Sequence, residues 1–415
     1  MSSVKNGQAG VSLVQKDHRE LNHELNYFQV DEAIGAGLPL WLPAGVVIRD
    51  ELEKLMRELE FLAGYQRVVS PHIAKEDLYF QSGHLPYYEE SMYPAIDLES
   101  VRYRLRPMCC PHHHRIFSAK LRSYRDLPLR LAEYGQVYRY EGSGALSGLM
   151  RVRGLCQNDA HLYVRESQVK EEILKVLQMY QKAYEILGIK KYRLRLSKWD
   201  RSGDKYVSMP EKWDWAENVL REVLLESGLE FEEESGEAAF YGPKIDIQIE
   251  SVLGKEESAS TVQLDFISAE RFDLSFINES GEKERPLILH RAPLGSHERM
   301  VALLVELYQG ALPLWLSPEQ VVIVPLADRH VAAAEDVRSV LHNAFLRVRV
   351  DGRVESLQRK LAEAWQSKAC YVVVIGDREV EEGKISVQRR GEPVRQKMAA
   401  EDLRDLLLKE VSSRQ

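Results

Sequence analysis

Apolar residues recur at i, i+3 and i+4 through residues 46–62 (VVIRDELEKLMRELEFL), the spacing of an amphipathic helix, within a broader helical pattern over 17–63. Arg67, Val68, Val69 and Ser70 before Pro71 predict a strand ended by proline. Short apolar runs with turns between them follow: LRLAEYGQVYRYE, LMRVRGLCQNDAHLYV, KIDIQIESVL and STVQLDFI. That succession predicts an antiparallel sheet rather than repeated βαβ units, with helices inserted over 168–187, 213–227 and 295–309. Past Pro313 the pattern changes. Strands over 321–324, 347–350 and 371–375 alternate with helices over 332–345 and 356–367, the signature of a small α/β domain. The boundary is expected near 315–320, giving a loose polar arm at 1–16, a larger domain at 17–316 and a smaller one at 317–415. No repeat or low-complexity tract interrupts this order.

Composition narrows the class. A chain of 415 residues with 44% hydrophobic and 29% charged residues has material for two or three folded domains. No apolar run approaches the ~18 residues of a membrane helix, and the N-terminal MSSVKNGQAG has no apolar signal core. Four cysteines are too few for a disulfide framework, which points to a reducing, cytoplasmic compartment. The net charge of −8 is unevenly spread: residues 101–153 hold eleven Lys/Arg against three Asp/Glu, while 211–237 hold ten acids against two bases. A basic stretch in an acidic chain suits a polyanion, although a solvated face has the same composition.

Two places carry candidate chemistry. Arg139 and Glu141 flank Tyr140 in a predicted strand–loop–strand, where two-residue spacing puts both side chains on one side. A fixed cation and anion so placed suit a phosphate and an exocyclic amine, or simply pair at the surface. Gly295-Ser296-His297-Glu298-Arg299 opens an apolar helix, and a small-residue start with an arginine in the first turn suits an anion, or is a plain cap.

Together with Pro71, these segments resemble the three signature motifs of class II aminoacyl-tRNA synthetases. The text between them resembles the threonyl-tRNA synthetase family: Arg106-Pro-Met-Cys-Cys-Pro111, Gly148-Leu-Met-Arg-Val-Arg-Gly154, Gln157-Asn-Asp-Ala-His161, Phe240-Tyr-Gly-Pro-Lys244, Thr261-Val-Gln-Leu-Asp-Phe266 and His290-Arg-Ala-Pro-Leu-Gly-Ser296. The likeness runs from about Asp17 to the C-terminus. It implies an α+β fold: a class II antiparallel-sheet catalytic domain flanked by helices, then a small α/β anticodon-binding domain. It also implies threonine activation by ATP and transfer to tRNA(Thr).

The same resemblance assigns residues. Cys110, His161 and His290 match the family's ligands for one Zn²⁺ per subunit, and three protein ligands leave the metal a position for substrate. Threonine would supply its amine and hydroxyl, so valine, lacking the hydroxyl, is rejected strongly. Arg139 falls to the α-phosphate, Glu141 to the adenine amine, and Arg151 and Arg299 to the β- and γ-phosphates, with Mg²⁺ and ATP. Ser296 and Gln263 match the nucleotide side, and Met108, Gln157, Asp159, Tyr241 and Lys244 the threonine and adenylate pocket. His84 matches a histidine near the terminal ribose of tRNA, a candidate base for the transfer.

The chain departs from the family wording at several points. Cys109 and His112-His113-His114 surround the ligand cysteine and offer extra donors. Cys156 and Cys370 are read as ordinary buried thiols. Ser258 stands where a glutamine is usual, and 351–356 (DGRVES) replaces the usual anticodon-domain wording, leaving Arg353 and Glu355 as candidate anticodon readers. A homodimer across roughly 45–75 is expected. No segment reads as a hydrolytic domain, so Ser-tRNA(Thr) is expected to be cleared by a separate protein in trans. Two other readings stay open: a paralogue that adenylates an amino acid for a different acceptor, and an inactive regulatory homologue.

Overall fold

Eight strands hydrogen-bond in the order Phe231–Ser235, Arg193–Lys198, Lys244–Glu250, Glu256–Asp265, Leu287–Ala292, Gly154–Val164, Leu129–Tyr138, Gln66–Arg67. The six inner strands pair antiparallel, while the outermost strand at each edge is parallel to its neighbour. The computed structural model describes residues 15–203 and 206–414. The arm expected over 1–16 therefore lies outside the described residues except for Gln15 and Lys16, whose backbone N–H donates to Gln309.

Side-chain alternation gives the sheet two different faces. Ala132, Ala160, Leu162, Ile245, Ile247, Val262, Leu264 and Leu289 turn to one side and join the largest core cluster. The helices Pro43–Leu62, Val169–Ile186, Pro210–Ser227 and His297–Leu307 contribute the rest of that core through Leu52, Met56, Ile173, Tyr180, Trp213, Leu220, Val301 and Leu304. The residues between them in sequence, among them Glu133, Asp159, His161, Lys244, Gln263 and His290, share the opposite face.

The helical pattern expected over 17–63 is not continuous. Helix His18–Leu25 ends at Asn26 in the left-handed region, and a short hairpin of Phe28–Gln29 with Leu40–Trp41 precedes helix Pro43–Leu62. The strand expected at 67–70 shortens to Gln66–Arg67, with Val68 adding one further backbone bond to Ala132. Its proline lacks a donor and the following residues turn away to a separate three-stranded sheet, Ile73–Lys75, Val101–Leu105 and Ile96–Leu98, that the sequence did not reveal.

Helix Pro43–Leu62 is locked to the sheet by ions. Glu60 Oε1, 1% exposed, accepts from Arg291 Nη2 at 2.7 Å and from Asn158 Nδ2 at 3.0 Å. The Arg291 guanidinium also lies over the Tyr65 ring, and the nearby carboxylate holds it charged despite burial. Removing one member of a buried pair leaves the other charge uncompensated. Glu60→Ala is expected to lower unfolding free energy by ~3–5 kcal/mol in urea titration, with Glu60→Gln milder because the hydrogen bond survives. Equal stability of Glu60→Ala and wild type would refute the role given to this pair.

The C-terminal sheet has the order Val348–Val350, Val321–Pro325, Tyr371–Ile375, Ile385–Arg389, Gln396–Met398, with the first three strands parallel. Helices Val331–His342 and Leu357–Gln366 match the expected ones to within a few residues. The last two strands and helix Ala400–Ser413 were not foreseen. Two ion pairs join this unit to helix Pro43–Leu62, Arg347–Glu51 at 2.8 Å and Arg414–Glu58 at 2.6 Å. Among the described residues, no helix is long and apolar enough to cross a membrane.

Candidate active site

Strand register decides which residues meet. Lys244 pairs with Gln263, Gln263 with His290 and His290 with His161, so one row of polar side chains crosses four adjacent strands. The neighbouring row carries Asp246 opposite Thr261, and Asp159 opposite Glu133. Helix Cys110–Ser118 covers the His161 end of the first row with its N-terminal cysteine.

Cys110, His161 and His290 each present a donor atom, all within 4.8 Å of one another, and all three side chains are buried. The hydrogen-bond network assigns the histidine tautomers. His290 Nε2 donates to Asp265 Oδ2 at 2.9 Å, leaving Nδ1 free. His161 Nδ1 lies 2.8 Å from His113 Nδ1, and His113 Nε2 lies 3.0 Å from Glu133 Oε2. Glu133 also accepts from Ser70 Oγ at 2.6 Å and Arg106 Nη2 at 3.0 Å. An ionised Glu133 accepts only, so His113 donates through Nε2 and accepts through Nδ1; His161 therefore donates through Nδ1 and keeps its Nε2 lone pair. Burial pushes Glu133 up, but the bonds from His113, Ser70 and Arg106 outweigh it and bring the carboxyl to about 2. Asp265 is likewise held below its ordinary value by His290 and Ser268, against burial.

Burial raises the Cys110 thiol well above its ordinary value, with Asp159 and Asp265 adding to it, and lowers His161 well below. One sulfur and two imidazoles, one backed by a carboxylate, form the donor set of a four-coordinate zinc site with one position open. The residues fit the ion on that chemistry.

The extra donors do not join this set. Cys109 Sγ faces Gly135, where an added Cβ would stand 2.2 Å away, and packs with Val137, Val152 and Leu155. His113 is the support of His161, His114 bonds Tyr163 through Nδ1 at 2.9 Å, and His112 is buried with neither ring nitrogen partnered. The sequence presented His113 only as an extra donor and assigned Asp265 and Glu133 nothing. Asp265 lies two residues from Gln263 on the same strand face, which is the signal that places it beside His290.

His84 also sits differently from expectation. It is fully buried, its Nδ1 2.8 Å from Ser82 Oγ and its Nε2 3.8 Å from Cys110 Sγ, among the rings of Tyr79, Tyr88 and Phe240. Burial takes its pKa down to about 3. The geometry makes it a neighbour of Cys110.

Of the pocket residues, Tyr241 stacks on His290 at 4.7 Å between ring centroids and donates to Gln263 Oε1 at 2.6 Å. Lys244 pairs with Asp246 at 2.7 Å, and burial raises the Asp159 carboxyl. Gln157 bridges to Ser296, which ties the second strand of the motif to the helix start. Met108 is half-buried just before Cys110.

Arg139 and Glu141 are not inside a strand. The strand ends at Tyr138, and Glu141 N–H closes a tight turn onto the Arg139 carbonyl at 2.9 Å, so simple alternation does not govern their directions. Glu141 instead accepts from Arg151 Nε at 2.9 Å. Arg299, in the first turn of helix His297–Leu307, donates to the carbonyls of Ser258 at 2.8 Å and Met150 at 3.2 Å. The residue standing in place of the usual glutamine thus anchors Arg299 through its backbone. Ser296 caps this helix by accepting from Arg299 N–H, and Gly295 before it has φ +57° with the Ala259 carbonyl where a Cβ would be.

Residues 93–308 match the tRNA synthetase class II core domain (G, H, P, S and T), and residues 320–410 the anticodon binding domain. A threonine–tRNA ligase of Deinococcus deserti is 46% identical over 403 residues, covering 96% of this chain and 62% of the relative; that of Deinococcus radiodurans is 48% identical over 376 residues, covering 91% and 58%. The chain thus spans about three fifths of the length of these curated relatives. A crystal structure described as the RNA binding domain of threonyl-tRNA synthetase from Cryptosporidium parvum superposes with a TM-score of 0.90 at 34% identity, covering 95% of this chain and 98% of that one. The chain belongs to the threonyl-tRNA synthetase family. The expected class II antiparallel core followed by an anticodon-binding domain is thereby borne out. In the latter, Arg353 pairs with Asp351 and Glu363, each at 2.6 Å, and Glu355 with Arg359 at 2.9 Å, so both candidate anticodon readers are held by ion pairs.

Proposed function

We propose that this threonyl-tRNA synthetase family chain activates L-threonine with ATP and transfers it to the terminal adenosine of tRNA(Thr). The observation that carries the reading is the row Lys244–Gln263–His290–His161 with Cys110 over its end. Cys110, His161 and His290 would hold Zn²⁺, which supplies an electrophilic position for an amine and a hydroxyl together. Asp159 accepts from the substrate hydroxyl, Met108 and Tyr241 wall the methyl side, and Gln157, Gln263 and Lys244 orient the carboxylate toward ATP. Arg139, Arg151 and Arg299 hold the triphosphate with Mg²⁺, and Glu141 receives the adenine amine once Arg151 turns to phosphate. Charge builds at the α-phosphate during attack, and a fixed Arg139 stabilises it without reorganisation.

In this reading residues 17–316 form the catalytic domain and 317–415 the anticodon domain of a cytoplasmic enzyme. The homodimer is formed across 45–75, where Phe61, Leu62 and Val69 are each at least 80% exposed. Sedimentation of the full chain tests this: a species of 47.7 kDa at micromolar concentration would refute it.

ATP–pyrophosphate exchange across the twenty amino acids tests the activity. Exchange with threonine is the expected result, and exchange with none, or best with another amino acid, overturns it. Valine is expected to be silent. Serine offers the same amine and hydroxyl and lacks one methyl, worth about 1–3 kcal/mol, so its exchange is expected roughly 10–200-fold below threonine. A separate hydrolytic activity against Ser-tRNA(Thr), supplied in trans, would complete the fidelity of this pocket.

A further inference from the structure

Behind the active-site face, a second group of donors converges where no substrate residue has been placed. Glu53 lies on helix Pro43–Leu62, Cys156 on strand Gly154–Val164 and His297 at the start of helix His297–Leu307. Their donor atoms all lie within 4.8 Å of one another. His297 is 0% exposed and neither of its ring nitrogens has a hydrogen-bond partner. Interior polar groups are nearly always paired, and among the described residues His112 is the other buried imidazole left so. Its Nδ1 stands 3.6 Å from Glu53 Oε1, a little over the about 3.4 Å that separates N and O donors bound tetrahedrally to one zinc ion with bonds near 2.1 Å.

We propose that Glu53, Cys156 and His297 form a second metal centre, separate from Cys110, His161 and His290, that takes a divalent, thiophilic cation such as Zn²⁺. Glu298 is buried alongside, accepting from the Cys156 backbone N–H at 3.0 Å, and the guanidiniums of Arg49, Arg57 and Arg67 surround Glu53, so the proposal stands on the meeting of the three donors and the unpartnered imidazole. Burial keeps His297 in the neutral form that ligates.

Such an ion adds a further tie between three elements already joined by Glu60–Asn158, Gln157–Ser296 and Cys156–Glu298: helix Pro43–Leu62, the strand bearing Gln157 and the helix bearing Arg299. It is a brace for the catalytic face rather than a participant in chemistry. Cys156 is then a ligand and not an ordinary buried thiol.

The test is metal content of the full-length chain equilibrated with Zn²⁺, desalted and measured by elemental analysis. Wild type is expected to hold two equivalents, His297→Leu and Cys156→Ser one each, Cys110→Ala one, and the Cys110→Ala/Cys156→Ser double variant none. One equivalent in wild type that is lost in Cys110→Ala, or two retained in His297→Leu, overturns the proposal. One equivalent lost in His297→Leu but kept in Cys110→Ala would instead sink the first centre and uphold the second. Should the core variants not fold, Glu53→Gln, at the least buried of the three ligands, decides: in the Cys110→Ala background it is expected to weaken Zn²⁺ binding by more than ~10-fold, since even outer partners of a ligand are worth that much. Unchanged affinity there overturns the assignment.

Discussion

Cys110→Ala is expected to lose the metal at the active-site centre and to cut threonine-dependent ATP–pyrophosphate exchange by ~10³-fold or more. The sulfur is one of three donors within 4.8 Å of one another, and neither Cys109 nor His113 can replace it, because Cys109 turns to Gly135 and His113 is committed to His161 and Glu133. A pocket built around a polar partner discriminates by ~10⁴–10⁵ when that partner is missing, so removing the protein's side of the contact carries a penalty of comparable scale. Cys109→Ala provides the contrast. It opens a small apolar gap beside Val137, Val152 and Leu155 and should lower stability slightly while exchange stays near wild type. Exchange surviving in Cys110→Ala together with an intact active-site metal would mean that the ligand set is wrong.

Arg139→Ala is expected to lower kcat for adenylate formation by about 10²–10³-fold, or ~2.7–4 kcal/mol, with little change in KM for threonine. The split follows from where the charge appears: the arginine meets the developing charge on phosphorus, not the amino acid. Lysine should rescue poorly, since one ammonium cannot reproduce the planar fork of a guanidinium. Pre-steady-state quench with labelled ATP separates this step from tRNA transfer. A loss confined to the transfer step, or a rise in threonine KM at constant kcat, would remove Arg139 from the α-phosphate.

The parts of the fold legible in the sequence are those governed by local period. The helix Pro43–Leu62 shows a 3.6-residue stripe, and Tyr371–Ile375 is an unbroken apolar run, so both were found nearly to the residue. The Ile385–Arg389 and Gln396–Met398 strands escaped although Gly391 and Pro393 mark the turn between them, because five and three residues carry too few apolar positions for alternation to stand out. The site motifs were legible as words, but the word Arg-Tyr-Glu misled about its geometry. The strand stops one residue earlier, at a turn made by the Glu141 and Arg139 backbones.

Residue identity along the chain settled which donors exist: one cysteine before a proline, two histidines in strand-like runs, an arginine in the first turn of a helix. Tertiary structure decided which of them meet. Register brings His161 opposite His290 across a pair of strands more than a hundred residues apart, and a slip of one residue in either strand would turn its histidine to the opposite face. Nothing in local sequence reports that register, because it is set by hydrogen bonds and packing between distant segments. The same holds for His113, which reads as one of three equivalent histidines until the helix is laid over the sheet. Only then does one imidazole reach Glu133 and His161, a second reach Tyr163, and the third none, since residues at successive helix positions point about 100° apart.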